Sequence, residues 1–439
     1  MSDRRPTVCF FPEGAFGPTN NCVGIGQALL RRGVRVVFVL EHSFAGTLEA
    51  QGFEERHVRL APPPATEPEP GQFWKDFIRE TAPQFRKTTL EQLEGLIQPI
   101  WVELLAGARY VDDQLAAVLA ELDPDLVVED NVVGFPAIPA SGRPWVRIVS
   151  CNPLELADPE LPPAFSGYPL DDRTGWEEFR RRYTELHRDL HAEHGKFCAE
   201  RGAPPLPDGS FIHESPWLNL YLYPAELDYA RSAPLASSWH RLESCVRGIA
   251  AEWTPPDRRE QDGGRMVYLS LGSLGSADVP LMQRLIGALA DSPHQVVVST
   301  GPQHEQIELA SNMAGEEFLP QPAVLPHVDL VITHGGNNTV TECLHAGKPM
   351  IVLPLFWDQH DNAQRVQETG FGRRLAPFEF DADELLGAID ELCSDDALAA
   401  RLRTVSRRLQ AEPGTDRAAG LLECLARERR LRDPASTTS

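Results

Sequence analysis

Short apolar runs alternate with amphipathic stretches along most of this chain. Val8 to Phe11, Val34 to Leu40, Leu126 to Glu129, Met266 to Leu269, Leu330 to Ile332 and Met350 to Leu353 are apolar without strict alternation, the pattern of parallel strands buried on both faces. Between and after them, helical periodicity runs from about Val23 to Arg32, Trp176 to Arg201, Val279 to Ala290, Asp383 to Cys393, Asp396 to Leu409 and Asp416 to Arg432. The order predicts an α/β protein of doubly wound parallel sheets. Phe73 to Leu122 is also periodic and helical, with breaks expected near Pro83 and Pro99, and its Trp74, Phe77, Phe85, Trp101 and Tyr110 read as helix-packing core, with lining of an acceptor pocket as the alternative for some. Pro62 to Pro70, PPPATEPEP, reads as an exposed connector, while Cys151 to Leu170 and Pro204 to Pro216 have the proline content of long loops around a cleft. Trp253 to Arg265, WTPPDRREQDGGR, has the composition of a linker, so a second unit should begin near Met266.

Composition narrows the partners. The 439 residues are 42% hydrophobic and 24% charged, ample for a globular core, with a formal net charge of −23. That charge argues against nucleic acid and against docking on an anionic membrane. No apolar run approaches the ~20 residues that span a bilayer. The opening MSDRRPTVCFFPEG has no signal-peptide core, so the expected location is the cytoplasm, as monomer or homodimer. Eight cysteines are scattered without a C-x-x-C pair or a histidine at ligand spacing, so no metal and no resident cofactor is expected.

Chemistry concentrates between Asp329 and Gln359, DLVITHGGNNTVTECLHAGKPMIVLPLFWDQ. A buried strand runs into His334 and the tight turn Gly335-Gly336. A helix should follow, with Asn337, Asn338 and Thr339 as capping types, Glu342 in its first turn, and Gly347 and Pro349 closing it. Free amides at that helix start make an anion site, and a carboxylate such as Glu342 accepts bonds from a vicinal diol. The next strand ends in Pro354 and leads to Asp358 and Gln359, a carboxylate and an amide placed for sugar hydroxyls. Upstream, Met266 to Ser276, MVYLSLGSLGS, reads as a strand ending in Gly-Ser turns.

These spaced elements together resemble the nucleotide-sugar signature of family 1 glycosyltransferases, including the bacterial natural-product and macrolide type. The signature's aromatic-x-Pro-Gln opening is matched by Phe318, Leu319, Pro320 and Gln321, with Phe where Trp is common. The resemblance implies the GT-B fold, two Rossmann-like domains facing across a cleft: residues 1–250 for the acceptor, a linker at 251–265, 266–410 for the nucleotide sugar, and 411–439 as a terminal helix crossing back, plus a tail. It implies that Phe318 stacks on the base and that Gln321 lies in the donor site. His334 with Gly336, Asn338 and Thr339 would hold the diphosphate, Ser273 would reach a phosphate oxygen, Glu342 would take the ribose, and Asp358 with Gln359 the sugar. The implied activity is inverting, metal-independent transfer of a hexose or deoxyhexose from a UDP- or dTDP-sugar to a small, hydrophobic acceptor.

The first half departs from that pattern. Relatives place a Gly-His pair before the first helix, the His serving as base; counting back from Arg32-Gly33 puts Gly17 at the Gly and Pro18 at the His. Asn20 and Asn21 nearby can hydrogen-bond but cannot accept a proton at neutral pH. Asp130, at a strand end, matches the residue that orients the family His and is the favoured base, with Glu13 and His42 as the others. Two further readings stay open: a sugar-nucleotide epimerase or hydrolase of the same architecture, and a catalytically impaired sugar-nucleotide-binding partner protein.

Overall fold

Two parallel sheets, one from each half of the chain, carry the architecture. The computed structural model describes residues 5–63, 80–248, 253–256 and 264–428. In the first half, β1 (Thr7–Pro12), β2 (Arg35–Glu41), β3 (Glu54–Val58), β4 (Leu126–Asp130), β5 (Trp145–Val149), β6 (Leu218–Tyr221) and β7 (Trp239–Arg241) form one sheet in the order β3-β2-β1-β4-β5-β6-β7. In the second, β8 (Met266–Ser270), β9 (Gln295–Ser299), β10 (Met313–Glu316), β11 (Leu330–Thr333), β12 (Met350–Val352) and β13 (Gly372–Arg374) follow β10-β9-β8-β11-β12-β13. Each is a Rossmann-type order whose direction reverses at its first strand, and such reversals open a crevice at the strands' carboxyl ends. The switch points lie between β1 and β4, where Pro12 faces Asp130, and between β8 and β11, where Ser270 faces Thr333.

Helices cover both faces, which is why the central strands are largely apolar. Val8, Phe10, Val36, Phe38, Leu126 and Val128 pack beneath α1 (Phe16–Arg31), and the opposite face, with Cys9, Val37, Val39 and Val127, packs beneath α2 (Gln98–Leu122). The other long helices among the described residues are α3 (Trp176–Glu200), α4 (Val279–Leu289), α5 (Asn337–Ala346), α6 (Gln359–Glu368), α7 (Ala382–Ser394), α8 (Asp396–Ala411) and α9 (Gly414–Glu428). Although it follows the second sheet, α9 buries Ala418, Ala419, Leu422 and Ala426 in the core of the first.

Three local expectations change. The first helix starts well before Val23, because α1 begins at Phe16; Pro18 sits in the first turn, where a missing N–H costs no hydrogen bond. Pro99 does not break the long helix. A π-turn at Leu93–Ile97 precedes it and absorbs the interrupted ladder. Glu342 lies beyond the first turn of α5, which carries no acidic residue. Trp74, Phe77, most of the proline-rich connector and most of the 251–265 linker fall outside the described residues.

The halves meet across a polar seam. Asn337 Nδ2 donates to Ser150 O at 2.8 Å and Leu222 O at 2.9 Å, and Arg365 donates to Leu227 O and Asp228 O at 2.6 and 2.7 Å. Asp361 accepts from the backbone N–H of Phe165 and Gly167 at 2.6 and 2.8 Å. No described helix is long and apolar enough to cross a membrane.

Candidate active site

At the second switch point, β11 delivers His334 and α5 starts three residues later. Gly336 is the N-cap and no side chain caps the helix, so its first amides face the crevice. The His334 ring lies in a slot between the two strand ends. A Cβ on Gly272 would come within 2.7 Å of its Cε1, and one on Gly336 within 2.7 Å of its Nε2, so both positions must be glycine for the ring to fit. Burial pushes the imidazole down to about 4, leaving it neutral at pH 7, and Thr333 Oγ1 lies 3.3 Å from Nδ1. With that hydroxyl donating to Nδ1, Nε2 carries the proton and becomes a neutral donor beside the helix start. Ser273 follows Gly272 in a short helical turn after β8 and is half-buried.

Deeper in the same crevice, Gln321, Asn338, Thr339 and Glu342 form one hydrogen-bonded group. Gln321 Nε2 donates to Glu342 Oε2 at 2.6 Å and to Thr339 Oγ1 at 3.3 Å, and Asn338 Nδ2 donates to Glu342 Oε1 at 3.3 Å. Burial raises the Glu342 carboxyl while these donors and Arg247 oppose the shift. Phe318, after edge strand β10, is 53% exposed, which leaves its ring accessible for stacking. Asp358 and Gln359 open α6. Asp358 Oδ2 accepts from Asn152 N across the seam at 2.9 Å and from Asn362 Nδ2 at 3.3 Å, and burial pushes this carboxyl up to about 7. Gln359 Oε1 accepts from Leu355 N and Phe356 N at 3.0 and 3.3 Å, so its oxygen braces the turn.

At the first switch point the chemistry is acidic. Asp130 is 2% exposed; its Oδ2 accepts from Ser150 Oγ at 2.5 Å and from Cys22 Sγ of α1 at 3.7 Å. Asn21 joins them, donating to Ser150 Oγ at 3.1 Å. Burial pushes Asp130 up to about 8, against the Ser150 bond. Glu13 is held to the same strand end by its N–H on Asp130 O at 2.9 Å, and burial, reinforced by Glu155 and Asp358, pushes it up to about 7. Gly17, Pro18 and Asn20 are half-buried in the first turns of α1. His42 is apart from this group: it is exposed in a short turn after β2, its ring edge-on to His57.

Two cavities adjoin this end of the sheet and share Val132. The larger, of about 420 Å³, is walled by Trp101, Phe165, Phe179, Tyr183, Phe211 and Trp357, with the Arg147–Glu155 ion pair among its lining. The smaller, of about 240 Å³, is lined by Phe11, Glu13, Leu60, Leu104, Asn131 and Phe135, with Glu41 and Glu103 alongside. Asp130 lines neither, whereas Glu13 lines the second. Among the described residues no group of three or more His, Cys, Asp or Glu is gathered as metal ligands would be.

Comparison with known proteins places this geometry. Residues 259–428 match the family UDP-glucoronosyl and UDP-glucosyl transferase. Over 95% of this chain and 90% of the relative, the sequence is 28% identical to an oleandomycin glycosyltransferase of Streptomyces antibioticus. It is 24% identical to a demethyllactenocin mycarosyltransferase of Streptomyces fradiae over 97% and 87%. Among solved structures, the glycotransferase of kitacinnamycin superposes with a TM-score of 0.68 at 23% identity, covering 96% of this chain and all of that one. The glycosyltransferase VinC in complex with dTDP gives 0.63 at 19%, with 96% and 100% covered. The chain is a glycosyltransferase of GT-B fold, and its second half carries the match to that family.

In this glycosyltransferase, sequence reasoning missed Arg247, Trp357 and the Arg147–Glu155 pair. Arg247 Nη1 lies 3.2 Å from Glu342 Oε1, and nothing local marks it, because it comes from the other half of the chain. Trp357 had a readable signal, its place between Pro354 and Asp358. Its φ of +57° is strained for a non-glycine residue, and its ring reaches Trp101 and Phe165 at centroid distances of 5.2 and 4.4 Å. It joins the donor turn to the wall of the larger cavity.

Proposed function

We propose that the enzyme moves a hexose or deoxyhexose from a UDP- or dTDP-sugar to a small, largely apolar natural-product acceptor, with inversion and without a metal ion. The observation that carries this reading is the uncapped start of α5 beside a neutral His334 slotted between Gly272 and Gly336. As the anomeric C–O bond breaks, charge builds on the departing diphosphate, where helix amides and the His334 N–H stabilise it. The acceptor oxygen attacks the opposite face of the same carbon, so a single displacement inverts it. The aromatic walls of the larger cavity suit an apolar acceptor, and the relatives named for oleandomycin and demethyllactenocin support a natural-product acceptor.

The acceptor's proton goes to Glu13 in this reading. Glu13 lines the smaller cavity, which meets the larger at Val132, and its carboxyl is acted on by both Glu155 of the larger cavity and Asp358 at the start of α6. Asp130, behind α1 and held by Ser150 and Cys22, positions that strand end.

The decisive experiment incubates the full chain with UDP- or dTDP-sugars and a panel of phenolic, macrolide and carboxylate acceptors, with and without EDTA, and follows products by intact mass. An acceptor gaining one hexose or deoxyhexose, at a rate EDTA leaves unchanged, is the expected result. Turnover of donor alone would support the hydrolase or epimerase reading, and donor binding without turnover the partner-protein reading.

A further inference from the structure

We propose that the donor site selects a 2′-deoxyribose nucleoside diphosphate over a ribose one, and that Arg247 sets this selection. The inference rests on the nucleotide reading of the α5 crevice and names the nucleoside it takes. Glu342 is the carboxylate placed for the sugar ring of the nucleoside, yet both of its oxygens are already engaged. Oε1 accepts from Arg247 Nη1 at 3.2 Å and Asn338 Nδ2 at 3.3 Å, and Oε2 accepts from Gln321 Nε2 at 2.6 Å. A carboxylate offers about four lone-pair sites, so about one remains. Ribose presents a vicinal diol and needs two. The 2′-deoxy sugar presents a single ring hydroxyl at C3′ and fits what is left.

Arg247 is not a loose surface arginine. Its side chain is 19% exposed, and its partner carboxylate 2%. The backbone that carries it lies against α1 and α9. A Cβ on Gly24 would meet Cys245 O at 2.9 Å and Arg247 Cα at 3.3 Å, and one on Gly414 would meet Ser244 O at 2.4 Å. Displacing the guanidinium to admit a diol would leave a buried charge without its partner, which penalises ribose but not deoxyribose.

Calorimetric titration of the full chain with UDP, dUDP and dTDP tests this, because UDP and dUDP differ only in the 2′-hydroxyl. The native chain should bind dUDP and dTDP more tightly than UDP. In Arg247→Ala, Glu342 is released to accept the diol, and UDP affinity should rise about tenfold relative to dUDP. Equal native affinity for UDP and dUDP, or a preference for UDP, overturns the inference whether or not the variant folds. An unchanged UDP to dUDP ratio in a folded Arg247→Ala chain overturns the role of Arg247. Failure of all three nucleotides to bind the native chain overturns the nucleotide reading itself.

Discussion

The two switch points present the same backbone device to the cleft and fill it with opposite chemistry. In each half a helix begins just beyond the reversal of strand order, and neither α1 nor α5 has a side-chain cap. At α5 the surroundings are a neutral imidazole, two glycines and open amides, which suits an anion. At α1 they are Glu13 and Asp130, two carboxyls that burial holds protonated to about pH 7 and 8. There burial raises both carboxyls, for Asp130 against the hydrogen bonds it accepts from Ser150 and Cys22. Topology supplies a receptive position twice; on the proposed reading, the side chains decide whether it holds a leaving group or takes a proton.

The largest effect that could break this contrast lies on the acidic side. Glu13→Gln keeps the shape but removes proton acceptance, so transfer to an alcohol should fall ~10²–10⁴-fold with nucleotide affinity unchanged. Asp130→Asn should cost less if Asp130 only positions the strand end. The pH profile separates them further. A base works deprotonated, so the rate should be low in acid and rise with pH through a midpoint near 7 for Glu13 or near 8 for Asp130. A midpoint near 8, lost in Asp130→Asn, would return the role of base to Asp130.

On the anion-binding side, His334→Ala should lower turnover by about 10² through the lost donor to the diphosphate. Since the imidazole is neutral, the loss should be flat across pH 6 to 9. A loss confined to low pH would mean that an imidazolium, not a neutral donor, acts there.

These regions were not equally legible from sequence. The donor crevice is mostly contiguous, from Phe318 to Gln359, and local rules reach it: an apolar strand, a glycine turn and a helix start. The first sheet's order was readable at the level of strand and helix alternation, but α1 was placed seven residues late. Gly17, Pro18, Asn20 and Asn21 are weak helix formers in an interior, whereas a first turn tolerates them. What pairs across the fold left no local trace. Arg247 on Glu342, Asn152 on Asp358 and Cys22 on Asp130 join positions 95 or more residues apart. Nor does sequence position alone tell whether a strand-end carboxylate such as Asp130 faces a cavity or the back of a helix.

The smallest expected effect is a gain, and it asks whether the α1 end can be converted to the chemistry of its relatives. Pro18→His puts an imidazole where the resemblance places the family base, one helical turn before Cys22, which touches Asp130. Proline at this point contributes a preset φ but no hydrogen bond, so a histidine can keep the helical backbone. The neighbouring Gly17 position has no atom within 4 Å of a built Cβ, so the turn is not tightly packed there. If Asp130 can still orient an imidazole, the variant should transfer to weakly acidic alcohols up to about tenfold faster, less than the ~10²–10⁴-fold of a fully positioned general base. It should change little for phenols, which need less help. The measurement is the ratio of initial rates on an alcohol and a phenol, native against variant. An unchanged ratio, in a variant that melts like the native chain, would mean that Asp130 is too firmly held by Ser150 and Cys22 to serve a histidine.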